Sequence, residues 1–296
     1  MFTGSITALV TPFRKDGIDE AVFEDLIEWQ IAEGTNGLVP CGTTGESPTL
    51  RRAEHERLVR LCVEVADWRV PVIAGTGTNS TETTIALTRM AKGAGADGAL
   101  IVTPYYNRPS QEGLFRHFEA VARAVEIPIV LYNVPKRTGV DLLPETVGRL
   151  AKIDTIVGIK EAGGDPRRAL AIAEAAGEGF VRLSGDDATA LAFNACTGRG
   201  CISVVSNVAP RLCARMQQAW AQGDEQTARW AEARLAPLVE ALSLESNPGP
   251  VKYALSVTRG IDPTPRLPLT RVTPQTAQAI DRALHRLDLT QARSAA

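Results

Sequence analysis

The sequence is poor in the residues from which metal and redox sites are built. It has only three histidines and no HExxH segment, so a metal site built on imidazoles is not expected. Its five cysteines are odd in number and form no CxxC pair, a pattern typical of reduced thiols in a cytosol. These absences disfavour metal chemistry and favour a cytoplasmic location.

The sequence also lacks a strong charge of either sign and a long apolar run. Its 32 basic and 34 acidic residues give a formal net charge of −2, which is no footprint for nucleic acid or an anionic membrane. No run approaches the ~20 apolar residues of a membrane span. The N-terminal segment MFTGSITALVTP has no basic region, so a signal peptide is not expected. We therefore expect neither nucleic-acid nor membrane partners.

Lysine is scarce as well, and one of the six lysines lies in a distinctive context. The segment TIVGIKEAGG (155–164) predicts a short buried strand with Lys160 near its end, because four of its residues are β-branched. Alternation along a strand would place Ile156, Gly158 and Lys160 on one face. Burial favours the neutral amine, a nucleophile that can form a Schiff base with a ketone. A solvated lysine with its stem along the surface is the common alternative.

Short β-branched segments alternate with amphipathic helical patterns along most of the chain. Eight predicted strands begin at residues 5, 37, 70, 98, 127, 155, 180 and 200, so consecutive strands start 20 to 33 residues apart. Eight βα units of this period predict the α/β class and a (β/α)₈ barrel. A doubly wound sheet is the alternative, but GTGTNS (75–80) lacks the third glycine of its fingerprint.

The chain after the eighth strand is predicted to be helical. Helical patterns run roughly over residues 210–222, 225–244, 250–259 and 274–287. The first completes the eighth βα unit, and the others would form a C-terminal appendage. We therefore predict a barrel over residues 1–223 and a C-terminal helical extension over residues 224–296.

Polar residues follow several of the predicted strands, at the end where such barrels carry their chemistry. Tyr132 lies at the end of the fifth strand, which is adjacent to the strand that carries Lys160. Its hydroxyl is suited to moving protons around an imine. Hydroxyls of Thr43 and Thr44, after the second strand, can bind a carboxylate. The planar fork of Arg137 suits the carboxylate of a second substrate.

Structural explanations compete with each of these functional ones. The segment GTTGE (42–46) could begin a helix, with Ser47 or Thr49 as N-cap and Glu46 in a solvated first turn. A rim tyrosine or a surface arginine is likewise common. Asp186 and Asp187 could hold Mg²⁺, but Asp187 also fits the N-cap of the seventh helix. The residues alone leave these alternatives open.

Five motifs taken together resemble the dihydrodipicolinate synthase family of pyruvate-dependent class I aldolases, which is related to N-acetylneuraminate lyase. They are GTTGES (42–47), TPYYNRPSQEG (103–113), YNVPKRTG (132–139), GIKEAGG (158–164) and LSGDD (183–187). The resemblance runs from Gly4 to about Leu287. It implies a (β/α)₈ barrel that assembles as a homotetramer, a dimer of dimers. It also implies condensation of pyruvate with L-aspartate 4-semialdehyde on the diaminopimelate route to lysine, with no metal or organic cofactor.

The resemblance further implies a catalytic role for four matching residues. Lys160 would form the imine with pyruvate. Tyr132, Thr43 and Tyr106 would form a proton relay, with Tyr106 supplied by the neighbouring subunit. Tyr105 and Tyr106 are predicted to be adjacent on a strand end, so their side chains should face opposite ways, with Tyr105 toward the subunit interface.

Substrate contacts are implied for four further positions: Thr44, Arg137, Gly185 and Ile202. Thr44 would hold the pyruvate carboxylate together with Thr43, and Arg137 would bind the semialdehyde. Two alternatives stay open at this point. One is another pyruvate-dependent aldolase or lyase that acts on a sugar acid. The other is a barrel that has lost catalysis and serves as a binding or regulatory protein.

Four positions match the cleft in which many family members bind L-lysine at the dimer interface. They are Ser47, His55, Asn79 and Tyr105. Pro48 stands where alanine is common, Arg52 where strongly inhibited bacterial enzymes have histidine, and Thr83 where they have glutamate. Lysine brings two ammonium groups, so loss of an anionic partner and gain of a cation oppose its binding. We expect weak feedback inhibition by lysine, or none.

Overall fold

The predicted strands form one parallel sheet that curves into a barrel in the computed structural model, which describes residues 2–289. The strands are β1 (Gly4–Ala8), β2 (Gly37–Val39), β3 (Ile73–Gly75), β4 (Gly98–Val102), β5 (Ile129–Asn133), β6 (Ile156–Glu161), β7 (Val181–Ser184) and β8 (Gly200–Ser203). Their hydrogen-bonded order is β2-β1-β8-β7-β6-β5-β4-β3. The predicted (β/α)₈ barrel is confirmed.

The barrel closes at a narrow seam between β2 and β3. Leu38 and Val72 form an isolated parallel bridge there, and the Gly75 amide donates to the Pro40 carbonyl over 2.9 Å. A Cβ atom at Gly75 would overlap with the carbonyl oxygen of Cys41. The absence of a side chain at Gly75 therefore lets the two strand ends approach.

Helices cover the outside of the barrel and continue beyond it. Within the described residues they are α1 (Glu20–Ala32), α2 (Arg52–Ala66), α3 (Thr81–Gly93), α4 (Gln111–Ala124), α5 (Pro135–Thr138), α6 (Pro144–Leu150), α7 (Arg168–Ala176), α8 (Ala190–Ala195), α9 (Pro210–Ala221), α10 (Glu225–Leu242), α11 (Gly249–Arg259) and α12 (Pro274–Arg286). A short antiparallel hairpin lies between β1 and α1, and its two strands, Phe13–Arg14 and Gly17–Ile18, have two residues each. None of the helices in residues 2–289 has the length and hydropathy to span a bilayer.

Alternation along the strands separates two apolar layers. Val130 and Leu183 belong to a buried cluster that includes inward-facing residues of most strands, whereas Leu131 and Ile159 pack outward against α4 and α6. Parallel strands covered on both faces are rich in apolar residues for this reason. The polar side chains of the site interrupt the inner layer only near its carboxyl end.

One face assignment for β6 was wrong. Ile156 packs with the outer layer and Val157 with the inner one, although alternation predicted that Ile156 would share a face with Lys160. The pairing of β5 with β6 shifts register between Ile129 and Val130. The irregularity reverses the faces of the first two residues of β6 and leaves Lys160 directed inward.

The C-terminal helices α10 to α12 pack on one side of the barrel. Leu235 of α10 and Leu255 of α11 lie in one buried cluster with Leu26 of α1 and Cys213 of α9. The bounds of these helices fall within two residues of the prediction. Prolines mark the starts of α9, α11 and α12, and side chains of Asp224 and Thr273 cap the starts of α10 and α12. The division between a barrel and an extension at residues 223 and 224 stays a prediction.

Replacing Gly75 by alanine should weaken the seam. The added methyl group must displace backbone rather than a flexible side chain, so we expect a loss of about 1–3 kcal/mol in the free energy of unfolding. Urea denaturation measures this loss. The matched control is Gly93→Ala at the end of α3, where no neighbouring atom lies within 4 Å of the added Cβ and stability should be kept. Equal stability of the two variants would contradict the seam's importance.

Candidate active site

Lys160 and Tyr132 are neighbours at the carboxyl end of the barrel interior. They are register partners on β6 and β5, and their exposed fractions are 5% and 6%. The Lys160 Nζ atom lies 4.4 Å from the centroid of the Tyr132 ring. Within the described residues, the ion pairs include Lys252 but not Lys160. The Lys160 amine is thus buried against an aromatic face and has no carboxylate as an ion-pair partner within residues 2–289.

Gly185 lies beside this lysine, and Ile202 belongs to the apolar layer inside the barrel. A Cβ atom at Gly185 would lie 3.0 Å from Lys160 Cε, tighter than ordinary van der Waals contact. Ile202 on β8 is fully buried in the inner apolar layer. The small residue at 185 leaves space for the lysine side chain, and the apolar layer below keeps bulk water from it.

The loop after β2 presents Thr43 and Thr44. Its turn is closed by hydrogen bonds from the Gly45 amide to the Gly42 carbonyl and from the Glu46 amide to the Thr43 carbonyl, both 3.1 Å long. Thr44 is buried, and its Oγ1 accepts a hydrogen bond of 2.9 Å from Asn247 Nδ2. Because this oxygen accepts, the hydroxyl proton is available for an anion.

A cavity of about 250 Å³ adjoins these groups and gathers residues from both predicted sets. Thr43 and Arg137 line it, together with Ser47, His55 and Tyr105 from the predicted lysine cleft. Lys160 is not one of its lining residues. Burial lowers the pKa of His55, so the imidazole is neutral near pH 7. It pairs with the carbonyl of Gly75 over 2.8 Å.

A larger cavity, of about 1020 Å³, lies near the opposite end of the barrel. Gly4 and Arg199, which line it, lie at the amino ends of β1 and β8. Volume does not identify the reactive end, because barrels of this type carry their catalytic groups on the loops after the strands. The polar groups around Lys160 therefore define the candidate site.

Comparison with known proteins agrees with this geometry. Residues 1–287 match the dihydrodipicolinate synthetase family. The chain belongs to that family. A 4-hydroxy-tetrahydrodipicolinate synthase from Rhodospirillum centenum is 57% identical over 286 residues, which are 96% of this chain and 98% of the relative.

Solved structures of the family superpose closely on the barrel. The 4-hydroxy-tetrahydrodipicolinate synthase of Methylacidiphilum fumariolicum is 45% identical, with a TM-score of 0.96, and the match covers 97% of this chain and 96% of that one. A dihydrodipicolinate synthase from Acinetobacter baumannii, solved with pyruvate, is 46% identical, with a TM-score of 0.95. The match covers 98% of this chain and 100% of that one.

The two adjacent tyrosines of this family member do not lie on a strand, contrary to the prediction from alternation. β4 ends at Val102, and Tyr106 has a left-handed φ of 71°. Tyr105 is half-buried against the cavity, whereas Tyr106 is 89% exposed. The sharp turn of the backbone at Tyr106, rather than the pleat, separates the two side chains.

The alternative structural assignments around GTTGE were wrong. Residues Ser47–Thr49 form a 3₁₀ turn, and α2 is capped instead by Arg51, whose amide donates to Glu54 over 2.8 Å. Glu46 is not in a solvated first turn, because it is only 2% exposed. Local pattern could not identify it as buried, since its partners lie near the other end of the chain.

The acidic pair after β7 binds backbone amides. Asp186 accepts from the Ala188 amide and caps a short 3₁₀ turn. Asp187 accepts from the amides of Val204 and Val205, at 2.8 and 3.0 Å. The prediction that Asp187 is the N-cap of the helix after β7 was therefore wrong, because Thr189 is the N-cap of α8. The Asp187 carboxylate instead holds the loop after β8.

A polar network behind β5 and β6 was not predicted from the sequence. Glu161 points away from Lys160 and is buried, where Asn133 Nδ2 donates to both of its oxygens and Arg168 Nε lies 3.2 Å away. Burial raises the pKa of Glu161, and Arg168 acts against this shift. Because Asn133 ends β5 and Glu161 ends β6, the network joins the two strands that carry Tyr132 and Lys160.

Proposed function

We propose that this protein is a 4-hydroxy-tetrahydrodipicolinate synthase. It would condense pyruvate with L-aspartate 4-semialdehyde on the diaminopimelate route to lysine, and so belong to the carbon–oxygen lyases. The observation that carries the proposal is the buried, unpaired amine of Lys160 against Tyr132, in a chain 57% identical to a synthase of that name. A cytoplasmic location agrees with such a biosynthetic role.

The first half of the proposed reaction makes an imine. The neutral amine of Lys160 attacks C2 of pyruvate, and loss of water from the carbinolamine leaves a C=N bond. Tyr132, Thr43 and Tyr106 move the protons that these steps require. Hydroxyls of Thr43 and Thr44 bind the pyruvate carboxylate. The imine withdraws electrons from the methyl group, so no metal or organic cofactor is required for the next step.

The second half joins the two substrates. Loss of a methyl proton gives an enamine, whose carbon attacks the aldehyde of the semialdehyde and forms the new C–C bond. Arg137 would hold the carboxylate of the semialdehyde, while Gly185 and the backbone of Ile202 line the pocket. The substrate's amino group then attacks C2 and displaces Lys160, which closes the ring and frees the enzyme.

Reductive trapping tests the imine directly. Borohydride with pyruvate should add one reduced pyruvyl group, and peptide mass mapping should locate it on Lys160. Lys160→Arg keeps the charge but loses the neutral nucleophile, so turnover should fall by orders of magnitude. Lys252 is an internal control because it is buried but paired with Glu46.

Labelling at Lys136 or Lys252 instead of Lys160 would refute the assignment. Turnover with sugar-acid substrates in place of the semialdehyde would favour another aldolase of the same class. Absence of any pyruvate adduct would point to a barrel without this catalysis.

Arg137 should act on the second substrate only. Loss of a charge-assisted contact costs about 2–3 kcal/mol, so Arg137→Ala should lower kcat/KM for the semialdehyde by roughly 30- to 150-fold. Pyruvate trapping should stay near the native rate. The matched control is Lys136→Ala, at the exposed neighbouring residue. It should leave both kcat/KM for the semialdehyde and the rate of pyruvate trapping unchanged. Equal damage to pyruvate trapping would show that Arg137 has another role.

We further propose a homotetramer in which Tyr106 completes the site of a neighbouring subunit. The 89% exposure of Tyr106 on this chain agrees with such a contact. Tyr106→Phe and Lys160→Ala proteins should each be impaired, and mixing them should restore some activity, because a hybrid dimer contains one intact site. If mass spectrometry shows that the subunits have exchanged and activity still does not return, the site is not shared.

Lysine should inhibit this enzyme weakly or not at all. Thr83 lies in the first turn of α3, where its hydroxyl donates to Ser80 over 3.1 Å, and it brings no negative charge. Glu82 is its neighbour, but successive helical residues point about 100° apart. Initial rates at saturating pyruvate across micromolar to millimolar lysine measure the effect. Half-inhibition well below millimolar lysine would overturn the expectation, and Thr83→Glu should strengthen inhibition.

A further inference from the structure

A buried ion pair joins the loop after β2 to the C-terminal helices. Lys252 Nζ on α11 lies 2.5 Å from Glu46 Oε1, and the two side chains are 0% and 1% exposed. The same ammonium group lies 4.2 Å from the centroid of the Phe13 ring. The pair links residues 206 positions apart in the sequence.

The second carboxylate oxygen of Glu46 is held from the same side. Glu46 Oε2 accepts from the Arg266 amide over 2.8 Å. The Arg266 guanidinium continues outward to both oxygens of Glu54 on α2, at 2.7 and 2.6 Å. Thus residues beyond α10 occupy both oxygens of Glu46, while Glu54 receives a separate contact on the outer surface.

The backbone at Glu46 depends on such support. It has a left-handed φ of 57°, which costs a non-glycine residue roughly 1–3 kcal/mol when nothing opposes it. On the opposite side, Thr11 Oγ1 donates to the Gly45 carbonyl over 2.7 Å. The turn that carries Thr43 and Thr44 is therefore held between the segment after β1 and the C-terminal part of the chain.

We propose that Glu46 and Lys252 are a positioning pair that holds the Thr43–Thr44 turn in the geometry that binds the substrate carboxylate. A buried ion pair is a weak source of stability, because desolvation offsets much of its attraction. Because Glu46 lies two residues after Thr44 in the same turn, the pair affects the geometry of that turn instead. Asn247, from the segment before α11, donates to Thr44 itself, so the C-terminal helices orient this hydroxyl as well. The inference rests on the proposed pyruvate chemistry.

Three variants separate positioning from stability. Lys252→Met and Glu46→Gln each leave one uncompensated buried group, so both should lower the melting temperature. The double variant Glu46→Gln/Lys252→Met removes both charges and should recover most of that stability. If the pair positions the turn, the double variant should still show a KM for pyruvate raised by about 10- to 100-fold and imine trapping slowed to match.

Glu54→Gln is the matched control. It removes the carboxylate that pairs with the Arg266 guanidinium but leaves both oxygens of Glu46 with their partners. The Arg266 hydrogen bond lowers the pKa of Glu54 to about 2, so a full charge is lost in this variant at assay pH. Its stability should fall, whereas its KM for pyruvate should stay at the native value.

The outcomes are distinguishable. A folded double variant with native KM and native trapping rate would show that the pair is only structural, and so would a Glu54→Gln protein with an equally raised KM. If the native protein itself forms no pyruvate adduct, the proposed function fails and this inference fails with it. A raised KM in the stable double variant, with native KM in Glu54→Gln, supports the positioning role.

Discussion

The in-register pairing of β5 with β6 is the constraint on which the site depends. It aligns Tyr132 with Lys160 at the point where the inner apolar layer gives way to polar groups. The register shift lower in the same pair exchanges the faces of the first two residues of β6, because a slip of one residue reverses the two faces of a strand, and Lys160 lies above it in regular pairing.

Buried charges reinforce this arrangement from outside the barrel. The Glu161 network ties together the ends of β5 and β6, and the Glu46–Lys252 pair ties the turn after β2 to α11. Neither carboxylate contacts Lys160 Nζ in the described residues, so the amine keeps an environment without a counter-ion. The buried charged groups thus hold the backbone around the site, while the amine of Lys160 stays in an apolar environment.

Local sequence pattern was sufficient for the elements and for the residues near them. The eight strands, the late helices, the position of Thr43 after β2 and the positions of Tyr132 and Lys160 near the ends of β5 and β6 all follow from short-range signals. The predictions from sequence pattern failed at two positions, Tyr106 and Glu46. Tyr106 left the strand geometry through a turn, and Glu46 lay in the interior although its neighbours in sequence indicated a solvated helix start.

The sequence by itself determined the period of eight βα units, the single lysine placed in a strand and the family motifs, because these depend on neighbouring residues and on spacing. Only the tertiary structure decided which face Lys160 takes, how far Tyr106 projects and which distant cation neutralises Glu46. Each of those depends on strand register or on the packing of α11 against the barrel. The physical reason is that the burial of a charge depends on which remote groups surround it, and local periodicity carries no record of a partner 206 residues away.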